Sequence, residues 1–96
     1  MATITVTQLT KGDPMEFDVE VRDGKGRTHH RVTMQAAIHA RMAGTATPAA
    51  LIRAAFAFLL ERESKESILG RFDVTVISRY FPEFEQEIGK YLRTVS

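Results

Sequence analysis

Histidine is the residue of this chain with the widest chemistry, because its imidazole binds metals and exchanges protons near neutral pH. His29 and His30 are adjacent in a segment with the alternating pattern of a β-strand, so their side chains point to opposite faces and cannot share a metal ion. His39 has no histidine or acidic residue at helical spacing. We therefore expect surface or rim histidines and no zinc site. Cysteine is absent, which excludes disulfides, thiolate metal sites and thiol catalysis.

Carboxylates form two groups along the sequence. Glu16, Asp18 and Glu20 alternate along one strand face and could hold a hard cation, but ion pairs with Arg31 and His29 explain the same pattern. The second group consists of Glu61, Glu63, Glu66 and Asp73. Catalysis by paired carboxylates needs a cleft that shifts their pKa values apart, and the sequence indicates no such cleft, phosphate loop, nucleophile elbow or histidine triad. We expect no catalytic residue, no metal ligand and no cofactor.

The segment 65–80 offers a different chemistry, the recognition of nucleic acid. It is similar to a helix-turn-helix and ends in Ile77-Ser78-Arg79-Tyr80, like a recognition helix. The part between residues 72 and 78 is about two residues short for the usual turn and first helical turn. Acids are interleaved with its basic residues, and the formal net charge of the chain is only +1, whereas DNA readers usually carry a basic stripe. A nucleic-acid-binding regulator is therefore the alternative hypothesis.

Aromatic residues are concentrated near the C-terminal end of the sequence. Those beyond residue 70 are Phe72, Tyr80, Phe81, Phe84 and Tyr91. Aromatic side chains dominate interface hot spots, so we predict a contact surface at the corner 78–83, for a protein partner or a second copy of the chain. Its predicted contact residues are Arg79, Tyr80, Phe81 and Pro82. The other interpretation is that Tyr80 only covers the core.

Secondary-structure elements must position the candidate residues named above. The clearest predicted element is in the segment 47–63. Thr47 can cap the first amides of a helix, and Pro48 suits the first helical position, where no N–H is needed. Apolar residues cover well over half of the helical circumference, so we expect other elements to pack on at least two of its sides. The run is too short, and Arg53 too central, for a membrane span. The sequence therefore predicts a core helix.

The N-terminal third has the two-residue period of β-strands. Segments 3–9, 16–22 and 28–34 are predicted strands, and 23–26 is a predicted hairpin turn. The expected register pairs Phe17 with Val32, Asp18 with Arg31, and Glu20 with His29. Apolar residues then face apolar ones, and acids face bases, on opposite sides of the hairpin. Cross-strand pairs of this kind contribute about 0.2–1 kcal/mol each.

The rest of the sequence predicts helices. They are expected at 35–43, after Ser64, from Val74 to Phe81 with Asp73 as the cap, and from Pro82 onward. The third assignment stays open, because the β-branched run at 74–77 is also typical of a strand. Strands followed by helices indicate one α+β domain over residues 1–96. We expect a small antiparallel sheet, a hairpin or a three-stranded meander, with one face covered by the C-terminal helices.

The N-terminal residues lack a basic region followed by an apolar core, so we expect no signal peptide and a cytoplasmic location. The near-zero net charge gives no general attraction to nucleic acid or to anionic lipid. The leading hypothesis is a non-catalytic protein-interaction module that binds another protein or itself. Nucleic acid is the less favoured partner, and a membrane is not expected.

Four strings between residues 51 and 88 carry a resemblance. They are FLLERE at 58–63, KESIL at 65–69, FD at 72–73 and YFPEF at 80–84. With them the chain resembles a group of small bacterial proteins of unknown function. The resemblance covers somewhat under half of the chain and implies no activity, cofactor or site residue.

Overall fold

The alternating N-terminal third folds into three strands, as predicted, and the chain then adds helices and a fourth strand. The computed structural model describes residues 2–95, with side chains for residues 2–93. The strands are β1 (Thr3–Thr10), β2 (Met15–Asp23), β3 (Gly26–Met34) and β4 (Arg71–Asp73). The helices are α1 (Ala36–Ala43), α2 (Pro48–Leu60), α3 (Val76–Tyr80) and α4 (Phe84–Val95), and a 3-10 turn lies at Lys65–Ser67. The fold is α+β, which confirms the predicted class.

The four strands form one sheet in the order β1-β2-β3-β4. The first three are an antiparallel meander. The predicted hairpin register is confirmed for Phe17 with Val32, Asp18 with Arg31, and Glu20 with His29. β4 lies beside β3 and runs parallel to it. The sheet is therefore mixed: the predicted three-stranded antiparallel meander is confirmed, and β4 adds a parallel strand that the sequence did not predict.

One face of the sheet is apolar and the other is polar, because side chains alternate along each strand. Met15, Phe17, Val19 and Val21 of β2 and Val32 and Met34 of β3 are buried in the core. The opposite face carries spaced ion pairs, such as Arg31 with Glu16 at 3.5 Å and Arg27 with Glu20 at 3.5 Å. Exposed pairs of this kind contribute at most about 1 kcal/mol each, so the apolar face supplies most of the stability of the sheet.

α2 is the core helix, as predicted. The Thr47 hydroxyl accepts a hydrogen bond from the Ala50 N–H at 3.1 Å, and Pro48 occupies the first turn. The helix contacts β1, α1 and α4, so the expected packing on at least two sides is confirmed. Its Phe56 ring is fully buried and lies 5.3 Å from the His30 ring between centroids. Burial on nearly all sides explains why so few polar residues occur in this helix.

Two side chains fix the start and the end of α1. The Ala36 N–H, one of the unpaired amides of the first helical turn, donates to Asp13 Oδ1 at 3.0 Å. His39 Nε2 donates to the Ala46 carbonyl at 2.8 Å and holds the loop between α1 and α2. Among the described residues, no single helix is long and apolar enough to cross a membrane. Together α1 and α2 reach that length and composition, but as a pair bent by 71°.

The segment 64–81 differs most from the sequence prediction. The helix expected after Ser64 is only the 3-10 turn, and the helix expected from Val74 begins at Val76. Before it, β4 pairs with β3, and the Thr33 hydroxyl donates to Asp73 Oδ1 at 2.7 Å. Asp73 also accepts from the N–H and the hydroxyl of Thr75, at 3.1 and 2.6 Å. The predicted capping role of Asp73 is therefore replaced by a tight turn that joins β4 to α3.

The helix-turn-helix interpretation of 65–80 is wrong, because this segment contains a 3-10 turn, a strand and a five-residue helix. Lys65, one of its basic residues, is only 3% exposed and lies 2.9 Å from Asp23 Oδ1, so it is not presented to a phosphate. Nucleic-acid binding by another surface stays an untested hypothesis.

Candidate functional site

The predicted corner lies where α3 meets α4, and its residues differ in exposure. Tyr80 is the last residue of α3, and 68% of it is exposed. Phe81 leaves the helix and is half-buried, with its ring 5.9 Å from the Phe58 ring in an edge-on arrangement. The sequence leaves open whether this aromatic corner is core or contact surface, and the structure answers differently for its two rings. Phe81 belongs to the edge of the core, whereas Tyr80 is turned to solvent.

An apolar groove opens beside Tyr80. It has a volume of about 300 Å³ and lies between the end of α2, the loop after the 3-10 turn, β4 and α3. Its buried lining consists of Leu59, Ile68, Phe72 and Ile77, and Phe81 closes one side. Leu69 and Tyr80 stand at its margin. Arg79 and Pro82, the other two predicted contact residues, are exposed but do not line it. We call this feature the Leu69–Tyr80 groove.

The backbone on the Leu69 side of the groove is tied to β3. His30 Nδ1 lies 2.8 Å from the Leu69 carbonyl, and the Arg31 N–H donates to the Gly70 carbonyl at 2.8 Å. A carbonyl oxygen only accepts, so Nδ1 carries the hydrogen, and in the neutral imidazole Nε2 accepts from the Thr28 hydroxyl at 2.8 Å. These bonds fix the backbone at Leu69 and Gly70. Leu69 itself is 48% exposed.

His30 was expected at the surface or rim, and this expectation is wrong. It is only 3% exposed and bonds through both ring nitrogens. Its position on the apolar side of β3 was visible in the strand pattern. Its acceptor, Leu69, is 39 residues away in the sequence, so no local pattern could have identified the pair.

Glu63 supplies the charge of the groove. This residue lines the groove and is partly buried, and its carboxylate has no hydrogen bond or ion pair with the side chains that the structure describes. Its neighbour Glu66 instead pairs with Lys65, and the hydrogen bond from Lys65 lowers the pKa of that carboxyl. The groove is therefore apolar inside, with one unpaired negative charge on its wall.

Arg62 holds together the end of α2 and the start of α4, next to the corner between α3 and α4. Its guanidinium lies 3.6 Å from the centre of the Phe58 ring and donates to Glu83 at 3.1 Å and Glu87 at 3.2 Å. It also donates to the Phe58 carbonyl and to the Tyr91 hydroxyl. Burial alone would lower the pKa of Arg62, but the hydrogen bonds with Tyr91 and Glu83 outweigh it and raise the pKa. The start of α4 is therefore held against the end of α2.

Within residues 2–93, no three histidine, aspartate or glutamate side chains lie close enough together to hold a metal ion. His29 stands 3.7 Å from both Asp18 and Glu20 on the open sheet face, in the ion-pair arrangement that the hairpin register predicted. Of the carboxylates at 61–73, Glu61 accepts from Tyr91, Glu66 pairs with Lys65 and Asp73 accepts from Thr33. Glu63 alone of the four lines the groove.

Comparison with protein-family models, with curated proteins and with solved structures finds no match to this chain. The resemblance to small bacterial proteins of unknown function therefore stays a prediction.

Proposed function

We propose that this protein is a non-catalytic interaction module, and that its Leu69–Tyr80 groove receives an apolar side chain of a partner protein. One observation carries the proposal. Only three large hydrophobic side chains are exposed in the described part of the chain, and two of them, Leu69 and Tyr80, stand at the margin of the same groove. Scattered exposed hydrophobic residues are ordinary on protein surfaces, whereas a pair around an apolar depression is typical of a binding site.

The size of the groove favours a side chain over a cofactor. Sites for small molecules occupy about 300–1,000 Å³, and this groove is at the lower end of that range. A leucine, methionine or phenylalanine of a partner would be enclosed by Ile68, Phe72 and Ile77, with Tyr80 folding over it. Tyrosine suits such a position, because its ring packs while its hydroxyl stays hydrated.

The unpaired carboxylate of Glu63 adds a preference. A partner segment that places a lysine or arginine beside its apolar anchor would pair with Glu63 at the wall of the groove. This pairing would be formed in a partly buried place, where ionic attraction is screened less than on the open surface. The preferred ligand is therefore a short segment with one large apolar residue next to a basic one.

The test compares the Tyr80→Ala variant with the parent protein in affinity capture from the native cell, followed by measurement of the affinity for each purified captured protein. Tyrosine anchors at interfaces commonly contribute at least about 2 kcal/mol, which is about thirtyfold in Kd. We expect a loss of this size for a true partner, and a further loss with Glu63→Gln. The melting temperature should change little, because Tyr80 is mostly exposed.

Leu9→Ala is the matched control, since Leu9 is the third exposed large hydrophobic residue, at 45%, and does not line the groove. It should leave the affinity unchanged. If Tyr80→Ala lowers the melting temperature strongly while every captured protein still binds, Tyr80 is a packing residue and the groove is not the binding site.

A further inference from the structure

The edge of the sheet formed by β1 is open. Among the described residues β1 is the outermost strand and pairs with β2 alone, and its residues 3–8 alternate between exposed and half-exposed. The other edge is the three-residue strand β4. An edge strand presents a row of unpaired N–H and C=O groups, which is a template for another strand.

Natural proteins usually protect such an edge with lysine, proline, inward charges or a bulge. Residues 2–10 contain no charged residue and no proline. The one irregularity is a shift of register between Gln8 and Thr10, and residues 3–8 pair regularly with β2. Threonine, isoleucine and valine dominate this stretch, and all three favour extended backbone. The regular part of β1 therefore has none of the usual protection against edge pairing.

The register of the β2–β3 hairpin determines which backbone amides of β1 point toward the open edge. Asp23 and Gly26 flank a two-residue turn and so form a hydrogen-bonded pair, and such pairs alternate along the ladder. Counting back along β2, the backbone groups of Glu20 and Arg22 point toward β1, where they meet Thr5 and Thr3. The intervening residues of β1, Ile4, Val6 and Gln8, therefore direct their N–H and C=O groups to the open edge.

This geometry restricts how two copies of β1 could pair. In an antiparallel pair the outward amides of one copy must meet the outward amides of the other, so even-numbered residues lie opposite even-numbered ones. Ile4 and Val6 of the two copies then meet on the helix-covered side. Thr3, Thr5 and Thr7 meet on the polar side, where threonine pairs are favourable. Neither side brings like charges together.

We propose that β1 pairs antiparallel with β1 of a second copy of this chain, which joins the two sheets into one of eight strands. A second copy is favoured over another partner for two reasons. Both strands are uncharged, and pairing even-numbered residues with even-numbered ones sets the apolar side of one strand beside the apolar side of the other. The half-exposed Ile4 and Val6 would be covered, and they would extend the apolar layer that α2 already shares with β1.

The test is the concentration dependence of the mass in solution, measured by sedimentation from micromolar to millimolar protein. The parent should move from one chain of 10.8 kDa toward twice that mass. Thr5→Lys should stay monomeric, because pairing Ile4 with Val6 of the second copy sets Thr5 opposite Thr5, where the two new charges would meet. In the monomer the same lysine lies opposite Glu20 of β2, so the fold should be kept. Thr7→Lys, opposite Asp18 in the monomer, would face Thr3 of the second copy, so it should weaken the dimer less.

Thr45→Lys is the matched control, since Thr45 is exposed in the loop between α1 and α2. It should dimerise like the parent. Hydrogen exchange gives a second reading, in which the amides of Ile4 and Val6 become protected as concentration rises, while those of Thr3 and Thr5 are protected throughout. A parent that stays monomeric, or a dimer that survives Thr5→Lys, would overturn the proposal. So would a dimer that leaves the Ile4 and Val6 amides unprotected. Loss of the dimer in Tyr80→Ala alone would assign self-association to the groove instead.

Discussion

Phe58 joins the core helix to the C-terminal part of the chain at the scale of a single side chain. It is fully buried, and its ring meets the rings of Phe84 at 5.0 Å, Tyr91 at 5.6 Å and Phe81 at 5.9 Å, all edge-on. Edge-on aromatic pairs add about 0.5–1.5 kcal/mol beyond the area that they bury. The neighbouring Arg62 guanidinium covers one face of the ring. One residue of α2 therefore organises much of the packing of α4.

Phe58→Ala should lower the free energy of unfolding by about 3–5 kcal/mol, because it removes a large buried ring and leaves a cavity. A domain of this size has only about 5–15 kcal/mol in total, so the urea midpoint should fall sharply. Leu60→Ala is the control, since Leu60 lies two positions on and is only partly buried. It should cost clearly less. Equal losses for the two variants would show that Phe58 does not hold the position described above.

At the scale of secondary-structure elements, those that depend on local sequence are predicted correctly. Those that depend on contacts between distant residues are not. The hairpin β2–β3 is closed by a two-residue turn and has strict alternation, so its register followed from residues 16–34 alone. β4 has only three residues and exists through its pairing with β3, including the Thr33–Asp73 bond across 40 positions. Its β-branched continuation at 74–77 had suggested a strand, but the strand ends one residue earlier.

The residues of the Leu69–Tyr80 groove also divide into those that the local sequence predicts and those that only distant contacts bring together. Tyr80 and Phe81 are predicted from the sequence because aromatic side chains are concentrated near this corner and dominate interface hot spots. Leu69 and Glu63 were missed as groove residues, because their neighbours in the groove come from α2, β4 and α3. The sequence predicts a short helix after Ser64, which would include Ile68 and Leu69. The backbone there is instead extended after the 3-10 turn, so the two side chains diverge, one buried and one exposed.

Arg62→Met tests how α4 is attached. Methionine keeps an apolar chain over Phe58 but removes the hydrogen bonds to Glu83, Glu87 and Tyr91. Bonds to charged groups contribute about 1.5–3 kcal/mol each when buried. Arg62 is partly exposed and its two glutamates more so, so we expect a total loss of about 1–3 kcal/mol. Amides of α4 should exchange faster than those of β2 and β3, because the sheet does not depend on this contact.

Arg53→Met is the control for that experiment. Arg53 is in α2, the helix that ends just before Arg62, and is partly buried, and it has no hydrogen bond or ion pair with the described side chains. Its replacement should leave the exchange of α4 unchanged. If Arg62→Met slows or preserves exchange throughout α4, the arginine does not attach that helix.

For the whole molecule, several carboxylates connect stability to acidity. A hydrogen bond from Lys65 lowers the pKa of Asp23 and ties the β2–β3 turn to the 3-10 turn. Backbone bonding and Arg62 lower the pKa of Glu83 at the start of α4. Lys65 changes in the opposite direction, because bonds to Glu66 and Asp23 raise its pKa. Its contribution is complete below its ordinary value of 10.5 and is lost as the pH rises through the higher folded value.

Asp73 gives the clearest test of the acid side. Burial raises the pKa of its carboxyl, but hydrogen bonds from the Thr75 hydroxyl, the Thr33 hydroxyl and the Thr75 N–H outweigh burial and lower it below the ordinary value of 3.8. The folded state therefore binds this proton more weakly than the unfolded state. Stability from Asp73 is complete above about the unfolded pKa and is lost as the pH falls through the folded one.

We expect the urea midpoint of the parent to be nearly constant from neutral pH down to about pH 5 and then to fall steeply, as the four carboxylates with lowered pKa values take up protons. Asp73→Asn should be less stable than the parent at neutral pH, because an amide can accept at only one of its two ends. The difference between the two proteins should shrink as the pH falls below 3.8, where the unfolded parent takes up the proton, and on through the lower folded pKa, where the folded carboxyl loses its charge. Asp13→Asn supplies the comparison, because Asp13 accepts a single backbone bond at the start of α1. A constant difference for Asp73→Asn at every pH would mean that this carboxylate stabilises the β4–α3 turn by its shape and not by its charge.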